Sequence, residues 1–246
     1  MTPADRPCAI VTGGGNGIGA ATVALLAREN WRVAVLDRDG KAAKSAAAAA
    51  GPRHIAVEAD ISDEAALVKA FASIAKEFGR VDALAACAGI IDTTPFLETD
   101  AATFRRVHDV NVVGTFLCVR EAGKLMQAGG AICILSSVAG LRGGGLVGTA
   151  AYSATKGALL ALTKTAARSL AVRKIRVNCV APGPTLTPML DPHYSAETRA
   201  RIEAMIPLGR VGTAEEVAQA VVWLMSPGAA YVNGATFVVD GGMVMA

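Results

Sequence analysis

The chain has 246 residues, enough for one large α/β domain around a well-buried core, and no Pro/Ser-rich linker, charge block or shift of composition divides it. Its formal charge of +3 is small, and the densest basic cluster, Arg173, Lys174 and Arg176, is short and lacks interleaved aromatics, which argues against a nucleic-acid partner. Although 52% of the residues are hydrophobic, no apolar run reaches bilayer length; the N-terminus does not read as a signal peptide, and five cysteines without CxxC spacing read as reduced thiols, so the expectation is a cytoplasmic protein that does not enter a membrane.

The first apolar run, "CAIVT", predicts a strand and is followed by "TGGGNGIG", Thr12 to Gly19. Glycines there permit a tight turn and a close backbone approach, and the helix that follows offers free N–H groups to a pyrophosphate; as a lone feature the cluster is equally a flexible turn. The second run, "RVAVLD", closes on Asp37, a carboxylate suited to ribose hydroxyls and repulsive to the extra phosphate of NADP. Arg38 follows, open to three readings: a partner for that phosphate, a solvated charge, or a stack on adenine. A helix through "KAAKSAAAAAGPRH" stops at Gly51 and Pro52. After "HIAVEAD", Asp60 is placed to reach an adenine amino group with Ile61 against the ring, or else Asp60 caps the next helix.

Four more runs follow: "DALAACAG", "AICILSS", "IRVNCVAP" and "ATFVVDGG". Strands apolar on both faces and separated by helices imply a parallel sheet covered on each side. The expected fold is α/β, a single-domain doubly wound parallel sheet of about seven strands with helices on both faces, of Rossmann type. Between the fifth and sixth runs lies "YSATK", where Tyr152 and Lys156 are one turn apart on a helix expected from about Tyr152 to Val172. A cation beside a phenol stabilises its anion, so the pair reads as an acid/base unit or, taken alone, as a solvated face. The three histidines, His54, His108 and His193, share no ligand spacing, and no catalytic metal is expected.

The glycine motif, "ACAGI", "VNVVG" around Asn111, Ser136 and Ser137, "YSATK", "RVNCVAPG" and "VDGG" stand in an order that resembles the short-chain dehydrogenase/reductase family over nearly the whole chain. The resemblance implies Tyr152 as general acid/base, with Lys156 lowering the phenol's pKa and binding the nicotinamide ribose. It implies Ser137 on the substrate oxygen and Asn111 supporting a water chain to Lys156. For the cofactor, expected to be NAD, it implies Gly13, Gly15, Asn16, Gly17, Ile18, Gly19, Asp37, Arg38, Asp60 and Ile61 at the adenosine and phosphate end. Cys87, Ala88, Gly89, Tyr152, Lys156, Pro182, Gly183, Thr185 and Thr187 complete that set near the nicotinamide. It further implies a homotetramer paired through helices that begin near Thr103 and Ala151. The chain departs from the family where "NNAG" is common, since Ala86 and Cys87 stand there; an inert buried thiol is expected rather than a nucleophile. The gap from Ser137 to Tyr152 is slightly long, and the usual spacing lands on Ala139; the glycine-rich run from Gly143 to Gly148 is expected to absorb the extra length, leaving Ser137 on the phenol. A small-molecule substrate would be chosen by Pro188 to Pro207 and Leu141 to Thr149. Met189, Leu190 and Tyr194 suggest an apolar lining, whereas Arg142, His193 and Arg199 leave room for an acidic substrate. An NADPH-using reductase of 3-oxoacyl thioesters and a non-catalytic dinucleotide-binding protein stand as the alternatives.

Overall fold

The computed structural model describes residues 6–144, 149–191 and 195–245. Strand β1 (Cys8–Thr12) leads into α1 (Gly17–Arg28), β2 (Arg32–Asp37), α2 (Gly40–Ala50), β3 (Ile55–Glu58), α3 (Glu64–Phe78) and β4 (Ala83–Ala86). There follow α4 (Ala101–His108), a π-helical turn Asp109–Gly114, α5 (Thr115–Leu125), β5 (Ala131–Leu135), α6 (Ala139–Arg142), α7 (Ala150–Ala171) and β6 (Arg176–Pro182). The last part is β7 (Thr185–Leu186), α8 (Ala196–Glu203), β8 (Gly212–Thr213), α9 (Ala214–Met225) and β9 (Thr236–Val239).

Seven strands form one parallel sheet in the order β3-β2-β1-β4-β5-β6-β9. Alternation along each strand sends side chains to opposite faces, so each strand feeds two cores. In β1, Ile10 packs with Phe71, Ile74 and Leu159 of α3 and α7, while Ala9 and Val11 pack with Val23, Leu26, Val217 and Val221 of α1 and α9. That double burial is why the strands read as unbroken apolar runs. The alanines of α2 serve close packing: Ala43 and Ala47 are buried against the sheet, and the helix ends on Gly51 at φ 116°. Its N-terminus is capped by Asp39, whose carboxylate accepts from the N–H groups of Lys41 and Ala42.

The basic cluster has a structural use. Arg173 donates to the carbonyls of Gly123 and Met126 at the end of α5. Arg176 does the same for Leu224, Ser226 and Val232 around the end of α9. Both guanidiniums therefore satisfy helix-terminal oxygens that have no partner within their own helix.

The chain order reverses between β1 and β4, whose carboxyl ends splay apart in their connections. In such a sheet this reversal opens the binding crevice. No helix among the described residues is long and apolar enough to cross a membrane.

Candidate active site

The loop after β1 turns at Gly13 (φ 66°) and Gly17 (φ 54°), then enters α1. A Cβ at Gly13 would lie 2.7 Å from the Ala88 Cα, and one at Gly19 would lie 2.0 Å from the Gly13 oxygen, so the loop is packed at a density that only glycine allows. Asn16 precedes α1 without a side-chain cap bond, and the first turn carries no acidic residue. The N-terminal N–H groups thus face the crevice unneutralised, the arrangement that attracts a phosphate. These features match a dinucleotide's pyrophosphate.

A cleft of about 310 Å³ runs along the carboxyl ends of the strands. Its wall includes Gly13, Asn16, Gly17, Ile18 and Gly19 from the glycine loop, Asp37 and Arg38 after β2, and Asp60 and Ile61 after β3. Cys87, Ala88 and Gly89 after β4, Ser137, Tyr152 and Lys156, and Pro182, Gly183, Thr185 and Thr187 after β6 complete the expected set. Two expected residues lie behind the wall. Gly15 donates its N–H to the Asp37 carboxylate at 3.0 Å, and a second oxygen of that group accepts from Asp39 N–H at 3.0 Å. Asn111 is fully buried in the π turn, where its amide clasps Ile90 by two bonds of 2.8 and 2.9 Å and reaches the Thr155 hydroxyl at 3.1 Å. Ile90 and Ile91 also line the cleft; the rule that residues just beyond a strand face the ligand would have found them. Asp60 is not the cap of α3, because Asp63 accepts from Ala66 N–H there; Asp60 instead accepts from the Ser62 N–H and hydroxyl, which with nearby Arg38 lowers its pKa.

At the other end of the cleft, α7 carries Tyr152 and Lys156 on one face. The Ser137 side chain lies within reach of the Tyr152 phenol, near enough as a hydrogen-bonding partner to pull the phenol's pKa down. The Ser137 oxygen also accepts from Ala139 N–H at 3.1 Å, which leaves its own proton to donate. The long spacing therefore does not displace the serine. Ser136 is turned inward and donates to the Lys156 carbonyl at 2.7 Å. Gly143 and Gly144 are described, but Gly145 and Gly148 of the expected bulge, with His193 and Tyr194, lie outside the described residues.

The expected lowering of the phenol's pKa by Lys156 needs correction. Burial raises the Tyr152 pKa, with only Ser137 opposing it. The Lys156 ammonium is 5.7 Å from the ring centroid and donates to the Leu135 carbonyl at 2.8 Å, and its burial lowers its own pKa to about 8. It is thus paired with the sheet rather than with the phenol oxygen. Gly89 is what permits this crowding, since a Cβ there would lie 3.1 Å from Asn111 Oδ1 and 3.5 Å from Lys156 Nζ. Cys87 has its thiol pushed up to about 12 by burial, the state of an inert cysteine. Arg199 also departs from expectation: it pairs with Glu203 at 3.0 Å along α8. Met189, Leu190 and Ile202 line the cleft as the apolar wall. No group of three or more His, Cys, Asp or Glu side chains is placed to hold a metal ion among the described residues.

Fold and cleft together define a Rossmann-type protein with a serine, a tyrosine and a lysine gathered at the carboxyl edge of its sheet. A family model described as enoyl-(acyl carrier protein) reductase matches residues 13–244. The chain is 39% identical over 241 residues to the 3-oxoacyl-[acyl-carrier-protein] reductase of Rattus norvegicus, covering 97% of this chain and 98% of that one. It is also 39% identical over 237 residues to the cis-4-hydroxycyclohexanecarboxylate dehydrogenase of Sinomonas cyclohexanicum, covering 95% of each. A solved short-chain dehydrogenase/reductase of Brucella melitensis, titled glucose/ribitol dehydrogenase, superposes with a TM-score of 0.93 at 33% identity, over 98% of this chain and 97% of that one. The chain belongs to the short-chain dehydrogenase/reductase family, oxidoreductases acting on CH–OH and ketone groups.

Proposed function

We propose that this protein is an NAD-dependent oxidoreductase that interconverts a secondary alcohol and a ketone, with Tyr152 as its general acid/base. The observation that carries the reading is that Ser137, Tyr152 and Lys156 line one end of a single cleft whose far end closes on Asp37. Ser137 donates to the substrate oxygen and holds it against the phenol. Tyr152 takes the hydroxyl proton when an alcohol is oxidised and returns it to the carbonyl oxygen on reduction. Lys156 places a positive charge beneath the site, and Asn111, across Gly89 from its ammonium, supports the water chain that relays protons to it.

When bound, the nicotinamide dinucleotide supplies the acceptor or donor of hydride. The glycine loop and the start of α1 would hold its pyrophosphate, and Asp60 and Ile61 its adenine. Lys156 would hold the nicotinamide ribose, with Pro182, Gly183, Thr185 and Thr187 along the nicotinamide. Asp37 would accept from the adenosine ribose hydroxyls. Its carboxylate, already held by two backbone N–H groups, repels a phosphate at that position and favours NAD over NADP. Arg38 on the cleft wall supports the second reading, an NADPH-using reductase of 3-oxoacyl thioesters or other ketones; the rat relative is named a 3-oxoacyl-[acyl-carrier-protein] reductase. We read the protein as a cytoplasmic homotetramer paired through the helices that begin near Thr103 and Ala151, a reading that the exposed Phe104 on α4 supports. The test is nucleotide fluorescence over a panel of secondary alcohols and ketones, run with NAD and NADP in parallel. Preference for NADP overturns the cofactor assignment, and nucleotide binding without turnover of any member overturns the enzymatic one.

A further inference from the structure

We propose that the substrate of this site is an anion: a secondary alcohol or ketone on an apolar skeleton whose carboxylate is anchored by Arg142. The inference rests on the oxidoreductase reading above and adds the substrate class to it.

Arg142 is the last residue of α6 and lines the cleft together with Ser137 and Tyr152. Its guanidinium has no hydrogen bond or ion pair among the described residues, whereas Arg173 and Arg176 are fully engaged with carbonyls and Arg199 with Glu203. The fork of donors on a guanidinium matches a carboxylate in two parallel bonds. The charges along the cleft are divided. Its lining carboxylates, Asp37 and Asp60, both lie at the dinucleotide's adenosine end. Asp92, which follows Ile91, is buried and directs its carboxylate to the hydroxyls of Thr94 and Thr149. Around Tyr152, then, no lining residue among the described ones repels an anion, while Arg142 attracts one.

The position of Arg142 is fixed as well as its charge. Gly140, two residues earlier, is pressed onto the backbone of α7 so tightly that a Cβ would lie 2.5 Å from the Lys156 carbonyl carbon. Arg142 N–H donates to the Val138 carbonyl at 2.9 Å, one residue beyond Ser137. The packed backbone therefore fixes the point from which the Arg142 side chain leaves, beside Ser137 and Tyr152. Met189, Leu190 and Ile202 line the same cleft and offer apolar side chains for the intervening carbons. A substrate carrying both a reactive oxygen and a carboxylate is held at two points, which is what orients a carbon for transfer.

The test uses the intact protein with saturating NADH and calorimetric titration by cyclohexanecarboxylate and by cyclohexanecarboxamide. The wild type should bind the carboxylate about 10- to 100-fold more tightly than the amide. Arg142→Gln should erase that preference, and Arg142→Lys should keep part of it, since the charge remains and the fork is lost. In a second arm, the ratio of kcat/KM for levulinate over its methyl ester should fall by a similar factor in Arg142→Gln. Equal binding of the two probes by the wild type, or a preference that survives Arg142→Gln, overturns the proposal. Failure of the oxidoreductase reading looks different: neither member of a ketone pair turns over with either dinucleotide, while the calorimetric preference still reports on Arg142.

Discussion

Gly140 sits where α6 crosses α7, and a methyl group there would lie 2.5 Å from the Lys156 carbonyl carbon, 2.6 Å from the Gly157 nitrogen and 2.7 Å from the Lys156 oxygen. Ordinary contacts begin near 3.4 Å, so Gly140→Ala drives the two backbones apart by roughly 1 Å. Overpacking of this kind costs about 1–3 kcal/mol, which for a chain of this length lowers Tm by about 2–12 °C. The same displacement moves Ser137 on one element away from Tyr152 on the other. A misplacement of about 1 Å in a reacting constellation reduces the rate by roughly 100-fold. The neighbouring Gly157 is the internal control: its added Cβ would lie 3.4 Å from the Gly140 oxygen and 4.0 Å from its Cα, which are ordinary contacts. Inside a helix, Gly157→Ala should then stabilise by up to about 1 kcal/mol. Thermal unfolding followed by circular dichroism, with steady-state rates on a substrate from the panel, reads both effects. A Gly140→Ala protein with wild-type Tm and kcat, or equal damage from Gly157→Ala, refutes the steric argument.

Tyr152→Phe should lower kcat by about 100- to 10,000-fold while NADH affinity, read by fluorescence, changes little, because the phenol proton serves the reaction; a near-normal rate ends the mechanism. Lys156→Ala should impair both quantities, since that side chain is assigned to proton transfer and to the nucleotide. Asp37→Ser should weaken NAD use and admit NADP with the help of Arg38, measured as the ratio of kcat/KM for the two cofactors; an unchanged ratio removes Asp37 from cofactor choice. Stability should fall as pH rises from about 9 towards 12. Burial holds the thiols of Cys179 and Cys87 at about 11 and about 12 and those of Cys118 and Cys133 higher, whereas the unfolded chain releases the same protons near the ordinary thiol value of 9.0. Lys156, at about 8 in the fold against 10.5 unfolded, acts in the opposite sense between those values, one group against these four thiols, to which the raised Cys8 and Tyr152 add. Urea midpoints at pH 8 and pH 10 give the sign, and a higher midpoint at pH 10 contradicts it.

The seven sheet strands were legible because a parallel sheet buried on both faces imposes a local, continuous apolar pattern. "RVAVLD" and "CAIVT" match β2 and β1 residue for residue. "DALAACAG" and "HIAVEAD" overrun β4 and β3 at their carboxyl ends, because Cys87–Gly89 and Ala59–Asp60 leave the ladder to line the cleft while keeping an apolar composition. The glycine loop, Asp37 and the Tyr152–Lys156 spacing were equally plain, since each is fixed by backbone geometry within a few residues. The π turn was hidden: one inserted residue among apolar neighbours leaves the helical pattern readable, and the demand of Ile90 for both bonds of the Asn111 amide arises 21 residues away. The two-residue pairing of β7 with β8 carries no periodicity at all.

From the sequence alone came the sheet, the crevice at its carboxyl edge, and the identities of the serine, tyrosine and lysine, because these follow from hydrophobic period, turn chemistry and motif order. Only the tertiary structure decided that Ser137 meets Tyr152 despite the long intervening segment. It also decided that burial raises the phenol's pKa while Lys156 turns to the sheet, that Arg199 is paired, and that Arg142 has no partner among the described residues. Each of these depends on which groups from distant parts of the chain share one small volume and are shut off from water together, and no local pattern encodes that.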